Sequence, residues 1–328
     1  MTWWHVIVLA IVQGMAELLP VSSSAHVIIA EKLMGMNPAA PEMTLLLVML
    51  HTGTMVAVIV YFWRRWARTF FSSMTEFKNF AVALIVATIL TGIVGGGIIE
   101  FIEKVLMRHQ PHAWVEQLFN RLDLIAIALA AAGVLILFAG LVENRREKLD
   151  HAINPAQNGG SNGGRNVTGP PPEAPAARTA VGAGVLERNS IAPASEMSAK
   201  QYSWIGAIQG LVIPFRGFSR SGSTISVGLL LRVARRTAED FSFALAVVLT
   251  PPADAREIWR LYQAQHHQLA AVVPAATTSL LGMVFAFVAG LLALKWLSRW
   301  LESGKWYIFG IYCLVAACVV AFLYHAGF

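Results

Sequence analysis

The stretch AIVQGMAELLPVSSSAH (residues 10–26) places a glutamate, a proline and a run of serines inside otherwise apolar sequence. A related stretch, AIQGLVIPFRGFSRSG (residues 207–222), follows about half the chain later, and both run from an apolar half-length helix through a Gln-Gly step into a polar break. Charged groups such as Glu17 and Arg220 are costly at membrane depth unless they line a polar cavity or bind a ligand. The two breaks are therefore predicted to meet at a functional site in an inverted-repeat membrane fold.

The composition places the chain among helical proteins that cross a membrane several times. Of its 328 residues, 56% are hydrophobic and only 13% are charged, and the mean hydropathy is +0.58. A net charge of +6 would suit a nucleic-acid partner, but the basic residues lie between apolar stretches and not on one soluble face. We therefore expect membrane topology to explain the charge, and we expect no nucleic-acid partner.

Five apolar stretches are long enough to cross a bilayer, which takes about 20 helical residues. They cover residues 43–63, 80–99, 124–142, 269–294 and 306–327. A sixth stretch begins at Phe241, is interrupted by Pro251 and Pro252, and is interpreted as a kinked span. The two motif segments are too short to cross, so residues 2–34 and 202–232 are predicted to form re-entrant helix-loop-helix hairpins. The predicted fold is an all-α polytopic membrane protein with six transmembrane helices and two re-entrant hairpins in an inverted repeat.

The spans and hairpins divide the chain into two halves. The first inverted repeat covers residues 1–143 and the second covers residues 201–328. Residues 144–200 include a segment rich in Gly, Pro, Asn and Ala and lack hydrophobic periodicity, so they are predicted to form a disordered linker. Most Lys and Arg residues between the spans fall on the linker side of the membrane. That side is therefore predicted to be cytoplasmic, which makes both termini periplasmic.

The first polar break combines a carboxylate, hydroxyls and an imidazole. Gln13 and Glu17 are four residues apart and share one face of a helix, and Glu17 could hold a divalent cation. The serines at 22–24 begin the next arm, where free backbone N–H groups attract anions. His26 follows Ser23 by one turn, so its ring could reach the same space.

The second break supplies positive charge. Arg220 lies at a helix start and is able to donate two parallel hydrogen bonds to phosphate oxygens. Such a set suits phosphoryl chemistry on an anionic lipid headgroup, because that transition state is stabilised mainly by positioning and positive charge. The residues predicted to contact phosphate are Gln13, Ser22, Ser24, Gln209, Arg216, Gly217, Ser219 and Ser221.

Simpler interpretations stay open for several of these residues. Glu17 could be a structural partner of Arg220, which would still bring the two breaks together. Gln13 and Gln209 could serve only as hydrogen-bond partners for backbone groups where the helices are interrupted. His51 lies inside a predicted span and is interpreted as a hydrogen-bonded structural residue.

The two motifs resemble those of the bacterial undecaprenyl pyrophosphate phosphatases, the bacitracin-resistance family. The first segment is similar to (Glu/Gln)-x-x-x-Glu followed by Pro-Val-Ser-Ser and His, and the second is similar to Pro-Gly-x-Ser-Arg-Ser-Gly. The similarity covers nearly all of the chain apart from the linker. It implies a multi-pass enzyme of the bacterial inner membrane that removes the terminal phosphate of undecaprenyl diphosphate, with Mg²⁺ or Ca²⁺ as cofactor. That reaction recycles the carrier lipid for peptidoglycan synthesis and confers bacitracin resistance.

The resemblance also implies roles for individual residues. By position, these are Glu17 as the essential glutamate, Gln13 at the variable first position, Ser23 and His26 as the catalytic serine and histidine, and Arg220 as the phosphate-binding arginine beside Ser219. Where the family has Pro-Gly, this chain has Pro-Phe-Arg-Gly, so Phe215 and Arg216 lengthen the loop between the proline and the glycine. The nucleophile stays open between Ser23, His26 and water, and the oligomeric state stays open as well, a homodimer included.

Two other functions share some of these features. A secondary transporter or a flippase for an anionic polyprenyl lipid would also use inverted repeats and broken helices. A phosphatase of the phosphatidic-acid type would need a His-x-x-x-Asp element after Arg220, which the sequence lacks.

Overall fold

The computed structural model describes residues 2–38, 40–106, 121–153, 197–265, 269–302 and 305–327. Within these ranges the chain consists of helices joined by turns, and a π-helical turn over Ile102–Leu106 extends one of them. The α-helices are α1 (Trp3–Leu18), α2 (Ser23–Leu33), α3 (Pro41–Thr69), α4 (Met74–Phe101), α5 (Leu122–Ile153), α6 (Ala199–Val212), α7 (Arg220–Leu230), α8 (Arg235–Gln265), α9 (Leu269–Glu302) and α10 (Tyr307–His325).

Five helices in the described ranges are long and apolar enough to cross a membrane. They contain Glu42–Thr69, Met74–Val105, Leu122–Leu149, Ala276–Trp296 and Tyr307–His325, which confirms the five predicted spans. The sixth predicted span lies in α8, which continues through Pro251 and Pro252 without a break. Because α8 carries several charged residues, it is not as apolar as the other five. Its crossing of the membrane, and with it the six-span count, stays a prediction.

The linker starts later than predicted. Helix α5 continues to Ile153, ten residues into the segment assigned to the linker. The extension reads NRREKLDHAI and is dominated by residues that favour helix, so it simply prolongs the span into the polar region. At the other end α6 begins at Ala199, where Ser198 forms a capping box with Gln201. The central part of the linker, residues 154–196, lies outside the described residues.

Both motif segments form helix-turn-helix hairpins, as predicted from their length. The first consists of α1 and α2, and the turn between them contains Ser22 at a φ of 68°. The second consists of α6 and α7, and its turn contains Gly217 at a φ of 104°. Positive φ is rare for a residue with a Cβ and common for glycine. The re-entrant course of the hairpins in a membrane stays a prediction.

Each hairpin packs against the second span of the other half of the chain. Helix α1 packs on α9, and α6 packs on α4 in the equivalent relationship. The glycine of each Gln-Gly step lies at this contact. A Cβ on Gly14 would lie 2.6 Å from Ala289 Cβ, and a Cβ on Gly210 would lie 2.6 Å from the carbonyl oxygen of Thr91. The glycines therefore allow the backbones to approach closely, as small residues do between membrane helices.

The predicted cytoplasmic end of the helices is held together by ion pairs. Arg65 near the end of α3 donates from Nε to Asp240 Oδ1 over 2.6 Å and from Nη2 to Glu239 over 3.3 Å. Arg235 at the start of α8 contacts Glu143 of α5 over 2.8 Å. These contacts join α8 to α3 and α5, so the helices converge at the end opposite the cavity described below.

Candidate active site

Glu17 is the centre of a cluster that both hairpins build. Its Oε1 accepts a hydrogen bond from Arg220 Nη2 at 2.5 Å, and its Oε2 accepts from the hydroxyl of Ser23 and from Gln13 Nε2, the latter at 3.1 Å. The carboxylate is 9% exposed. The structure thus confirms that the two polar breaks meet, since α1, α2 and α7 each contribute a side chain to one carboxylate.

The turn before α2 determines where Ser23 lies. Proline at position 20 ends α1, and Ser22 reverses the chain at positive φ, so that Ser23 becomes the first residue of α2. The hydroxyl of Ser23 then points back to Glu17, six residues earlier. A serine whose hydroxyl donates a hydrogen bond to a carboxylate in this way has the arrangement of a nucleophile beside a base.

Arg220 is the first residue of α7, and the turn before it is held by Ser219. The Ser219 hydroxyl accepts from the backbone N–H of Gly222 at 3.2 Å, which is the usual N-cap bond. Arg220 itself lies on the cavity side of the helix start. Positive charge from the guanidinium and from the helix N-terminus is therefore directed at the same space as Glu17.

A cavity of about 580 Å³ lies in front of the cluster. Its polar wall includes most of the predicted phosphate-contacting residues, namely Gln13, Ser22, Ser24, Arg216, Ser219 and Ser221 together with Glu17, Ser23 and Arg220. Its apolar wall comes from residues such as Val27, Leu47, Ile99 and Leu249. A cavity with one polar wall and one apolar wall suits a ligand that carries a charged head group on a hydrocarbon chain.

Three predicted site residues are not brought into this cavity. Gln209 is fully buried between α6 and α4, and its Nε2 lies 3.5 Å from Thr91 Oγ1. Gly217 packs against α5, where an added Cβ would lie 2.6 Å from the carbonyl oxygen of Ile125. His26 turns its ring toward α10, where its Nε2 lies 2.7 Å from Tyr312 Oη. Packing between helices accounts for Gln209 and Gly217, and their contact with phosphate stays a prediction.

Two acidic or basic residues at the cavity were not assigned to the site from the sequence. His51 Nε2 lies 3.5 Å from Glu17 Oε2, while its Nδ1 donates to the Leu47 carbonyl at 2.9 Å. Asp254 of α8 accepts from Thr52 Oγ1 at 3.2 Å and lines the same cavity. The signal for Asp254 was present, because it is an ionisable residue that follows directly on an apolar stretch interrupted by prolines.

Comparison with known proteins places the chain in a family. A family model described as "Bacitracin resistance protein BacA" matches residues 6–164 and 172–319. The chain belongs to this family. Among its curated relatives, undecaprenyl-diphosphatase 2 of Acinetobacter baylyi is 47% identical over 96% of both chains. Undecaprenyl-diphosphatase 2 of Burkholderia orbicola and undecaprenyl-diphosphatase 1 of Burkholderia pseudomallei are each 30% identical over 99% of both chains.

In this BacA family member a buried carboxyl group, that of Glu31, lies beside the cavity. Glu31 of α2 is fully buried, and neither of its carboxyl oxygens has a hydrogen-bond partner. It follows Ser24, Val27 and Ile28 on the same face of α2, and those three residues line the cavity. Arg216 of the second hairpin is close enough to act electrostatically on Glu31, although burial of the carboxyl group is the larger influence on it. Arg216, which the longer loop contributes, therefore has the carboxyl group of Glu31 from the other hairpin as a neighbour.

The donor set of this BacA family member suits a cation that binds together with a diphosphate. In the part of the chain that the structure describes, no group of three His, Cys, Asp or Glu side chains could hold a metal ion by itself. Glu17 offers one carboxylate, and Asp254 lines the same cavity. Mg²⁺ is commonly bound by one or two carboxylates and by substrate phosphates, so these residues fit a cation that the substrate helps to bind.

Proposed function

We propose that this protein is an undecaprenyl-diphosphatase, which hydrolyses undecaprenyl diphosphate to undecaprenyl phosphate and inorganic phosphate. The observation that supports this most directly is the cluster of Glu17, Ser23 and Arg220 at the polar end of a cavity with apolar walls. The cavity accommodates the diphosphate head and the first part of the prenyl chain. The remainder of the prenyl chain extends into the bilayer.

Ser23 is the proposed nucleophile. Its hydroxyl attacks the terminal phosphorus while the proton passes to Glu17, and the bond from that phosphorus to the bridging oxygen breaks. Undecaprenyl phosphate leaves, and water then hydrolyses the phosphoserine to release inorganic phosphate and restore the hydroxyl. Glu17 fits the role of base because Ser23 already donates to its Oε2.

Arg220 is proposed to stabilise the charge on the transferred phosphoryl group. In the structure it is paired with Glu17. When the diphosphate enters, the guanidinium donates to phosphate oxygens, and this frees the carboxylate to accept the proton from Ser23. The N-termini of α2 and α7 add backbone N–H donors on the same side, and Arg216 adds a second positive charge.

A divalent cation, Mg²⁺ or Ca²⁺, is proposed as cofactor. Glu17 would hold it together with the phosphate oxygens of the substrate. When bound, such a cation neutralises charge on the diphosphate and makes the leaving phosphate a better leaving group.

The substrate is proposed to enter from the periplasmic side of the inner membrane. The cavity is lined by Thr44 near the start of α3, Ile99 near the end of α4 and Glu257 near the end of α8. All three lie at the end of the helices opposite the ion pairs of Arg65 and Arg235. The positive-inside rule makes the ion-paired end cytoplasmic, so the cavity opens to the periplasm and both termini lie on that side.

The test is phosphate release by the purified protein in detergent. Undecaprenyl diphosphate with Mg²⁺ is expected to yield inorganic phosphate, and a short soluble diphosphate is expected to be a poor substrate because it cannot occupy the apolar wall. A flippase has no second leaflet to move lipid to in detergent, whereas an enzyme still releases inorganic phosphate there. Phosphate release therefore distinguishes hydrolysis from lipid transport. Absence of phosphate release from every polyprenyl diphosphate tested would refute the proposed function.

A pair of serine variants tests the nucleophile. Ser23→Ala is expected to lose nearly all turnover and to accumulate no phosphoenzyme after rapid acid quench with ³²P-labelled substrate. Ser279→Ala is the matched control, because Ser279 is a fully buried serine of α9 outside the cavity. Wild-type turnover by Ser23→Ala would exclude the serine and favour direct attack by water.

A further inference from the structure

His26 is held by hydrogen bonds on both sides of its ring. Nδ1 lies 2.7 Å from the carbonyl oxygen of Ser22, and Nε2 lies 2.7 Å from the hydroxyl oxygen of Tyr312. The two rings are stacked with centroids 5.7 Å apart and an angle of 14° between their planes. Tyr312 belongs to α10, in the second repeat. A residue of one repeat thus fixes the ring of a residue in the hairpin of the other.

The partners determine the tautomer of the ring. A carbonyl oxygen can only accept, so Nδ1 of His26 must carry the proton and donate to Ser22. In the neutral ring Nε2 is then an acceptor, and it accepts a hydrogen bond from the hydroxyl group of Tyr312. No ion pair involves His26 among the residues that the structure describes, which favours the neutral ring at membrane depth.

The carbonyl that His26 binds belongs to the turn that places Ser23. Ser22 has a φ of 68°, a conformation that residues with a Cβ rarely adopt. Such backbone persists when its surroundings hold it in place. The Ser22 carbonyl accepts from Nδ1 of His26 and, at 3.4 Å, from the backbone N–H of the same residue. The next residue is Ser23, whose hydroxyl donates to Glu17.

We propose that His26 is a positioning residue, whose Nδ1–H holds the Ser22 carbonyl and thereby directs Ser23 to Glu17, and that Tyr312 of the other repeat holds the ring in this orientation. The kinetic tests of this proposal rest on the proposed function, because they measure that reaction, whereas the hydrogen bonds of His26 can be tested without it. His26 does not transfer a proton in the reaction, because both ring nitrogens are engaged in hydrogen bonds and the residue does not line the cavity. Tyr312 lies in neither polar break, and spacing in the sequence does not connect it to the site.

Two amide substitutions of His26 separate positioning from proton transfer. The nitrogen of asparagine can occupy the place of Nδ1 and donate to Ser22, whereas the longer glutamine side chain places its amide nearer to Nε2. His26→Asn is therefore expected to keep most of the wild-type kcat and His26→Gln to lose it, with little change in KM for either. An acid–base role predicts equal and nearly complete loss in both, which would overturn the proposal.

Tyr312→Phe tests whether the contact from the other repeat holds the ring of His26 in place. It removes one hydrogen bond to Nε2, so kcat is expected to fall by about five-fold while KM stays constant. Tyr324→Phe is the matched control on the same helix, because Tyr324 contacts His325 and not the hairpin. Equal kinetics for wild type and Tyr312→Phe would remove Tyr312 from the proposal.

A readout without turnover distinguishes failure of this proposal from failure of the proposed function. In protein labelled with ¹⁵N-histidine, the signals of His26 are assigned by their loss in His26→Asn. The wild type is expected to show a protonated Nδ1 and an unprotonated Nε2, and Tyr312→Phe is expected to keep this tautomer with a shifted Nε2 signal. A wild-type ring protonated at Nε2 alone would overturn the proposal whatever the substrate proves to be.

Discussion

Arg220 on α7 and Glu17 on α1 are 203 residues apart in the chain, yet Nη2 of the arginine lies 2.5 Å from Oε1 of the glutamate. The pair brings the two polar breaks of the sequence into one site. It also leaves the other carboxylate oxygen available to Ser23. Arginine binds both carboxylates and phosphates, so the guanidinium of Arg220 can pair with Glu17 and can also pair with the phosphate of a substrate.

The first prediction concerns this pair. Arg220→Ala is expected to lower kcat/KM for undecaprenyl diphosphate by about 10²–10³-fold, because a preorganised donor to the transferred phosphoryl group is removed. Arg220→Lys should lose less, since it keeps the charge but not the two parallel donors. Arg121→Ala is the control, because Arg121 pairs with the neighbouring Asp123 at an exposed position. Similar rates for Arg220→Ala and wild type in the phosphate-release assay would contradict the assignment.

The second prediction concerns Glu31 and Arg216. An ionised carboxylate at Glu31 would offset part of the nearby positive charge of Arg216, so Glu31→Gln is expected to lower KM for the anionic substrate several-fold, and Arg216→Gln is expected to raise it. In the double variant the effect of Glu31→Gln should disappear. A double-mutant cycle on KM measures this coupling. Additive effects would show that the two residues act independently.

The third prediction concerns the glycines of the two Gln-Gly steps. Gly14→Ala and Gly210→Ala are each expected to destabilise the protein by about 1–3 kcal/mol, because the added methyl group would overlap backbone or side-chain atoms of the facing helix. Thermal unfolding in detergent measures the loss. Gly96→Ala is the control, since no atom lies within 4 Å of its added Cβ. Equal melting temperatures for all three variants would argue against the close helix contacts.

The fourth prediction concerns the divalent cation. Chelation with EDTA is expected to abolish phosphate release, and Mg²⁺ or Ca²⁺ should restore it. Glu17→Gln is expected to remain inactive at any cation concentration, because the amide neither holds a cation well nor accepts a proton from Ser23. Glu100→Gln, at an exposed pair with Lys104, is the control. Full activity of the wild type in EDTA would refute the cofactor proposal.

The sequence was most informative where a polar residue interrupted an apolar stretch. Glu17, Ser23 and Arg220 stood out because ionisable or hydroxyl groups at membrane depth require a partner. Gln209 and Gly217 carried the same signal but serve packing between helices, and local pattern does not distinguish these two uses. Glu31 could have been recognised by the same criterion, as an ionisable residue in the short apolar arm of α2. Tyr312 could not, because nothing in its own helix marks it as a partner of the hairpin.

The amino-acid sequence by itself determined the number and place of the apolar helices, the duplication of the polar breaks and the family, because hydrophobicity and motif spacing are local properties. Only the tertiary structure decided which side chains share a carboxylate, that His26 turns to Tyr312 and that Arg216 is accompanied by Glu31. Those relationships depend on how the repeats pack against each other. Side-chain direction across such an interface is set by close packing of many residues and by backbone turns such as that at Ser22, which no single stretch of sequence specifies.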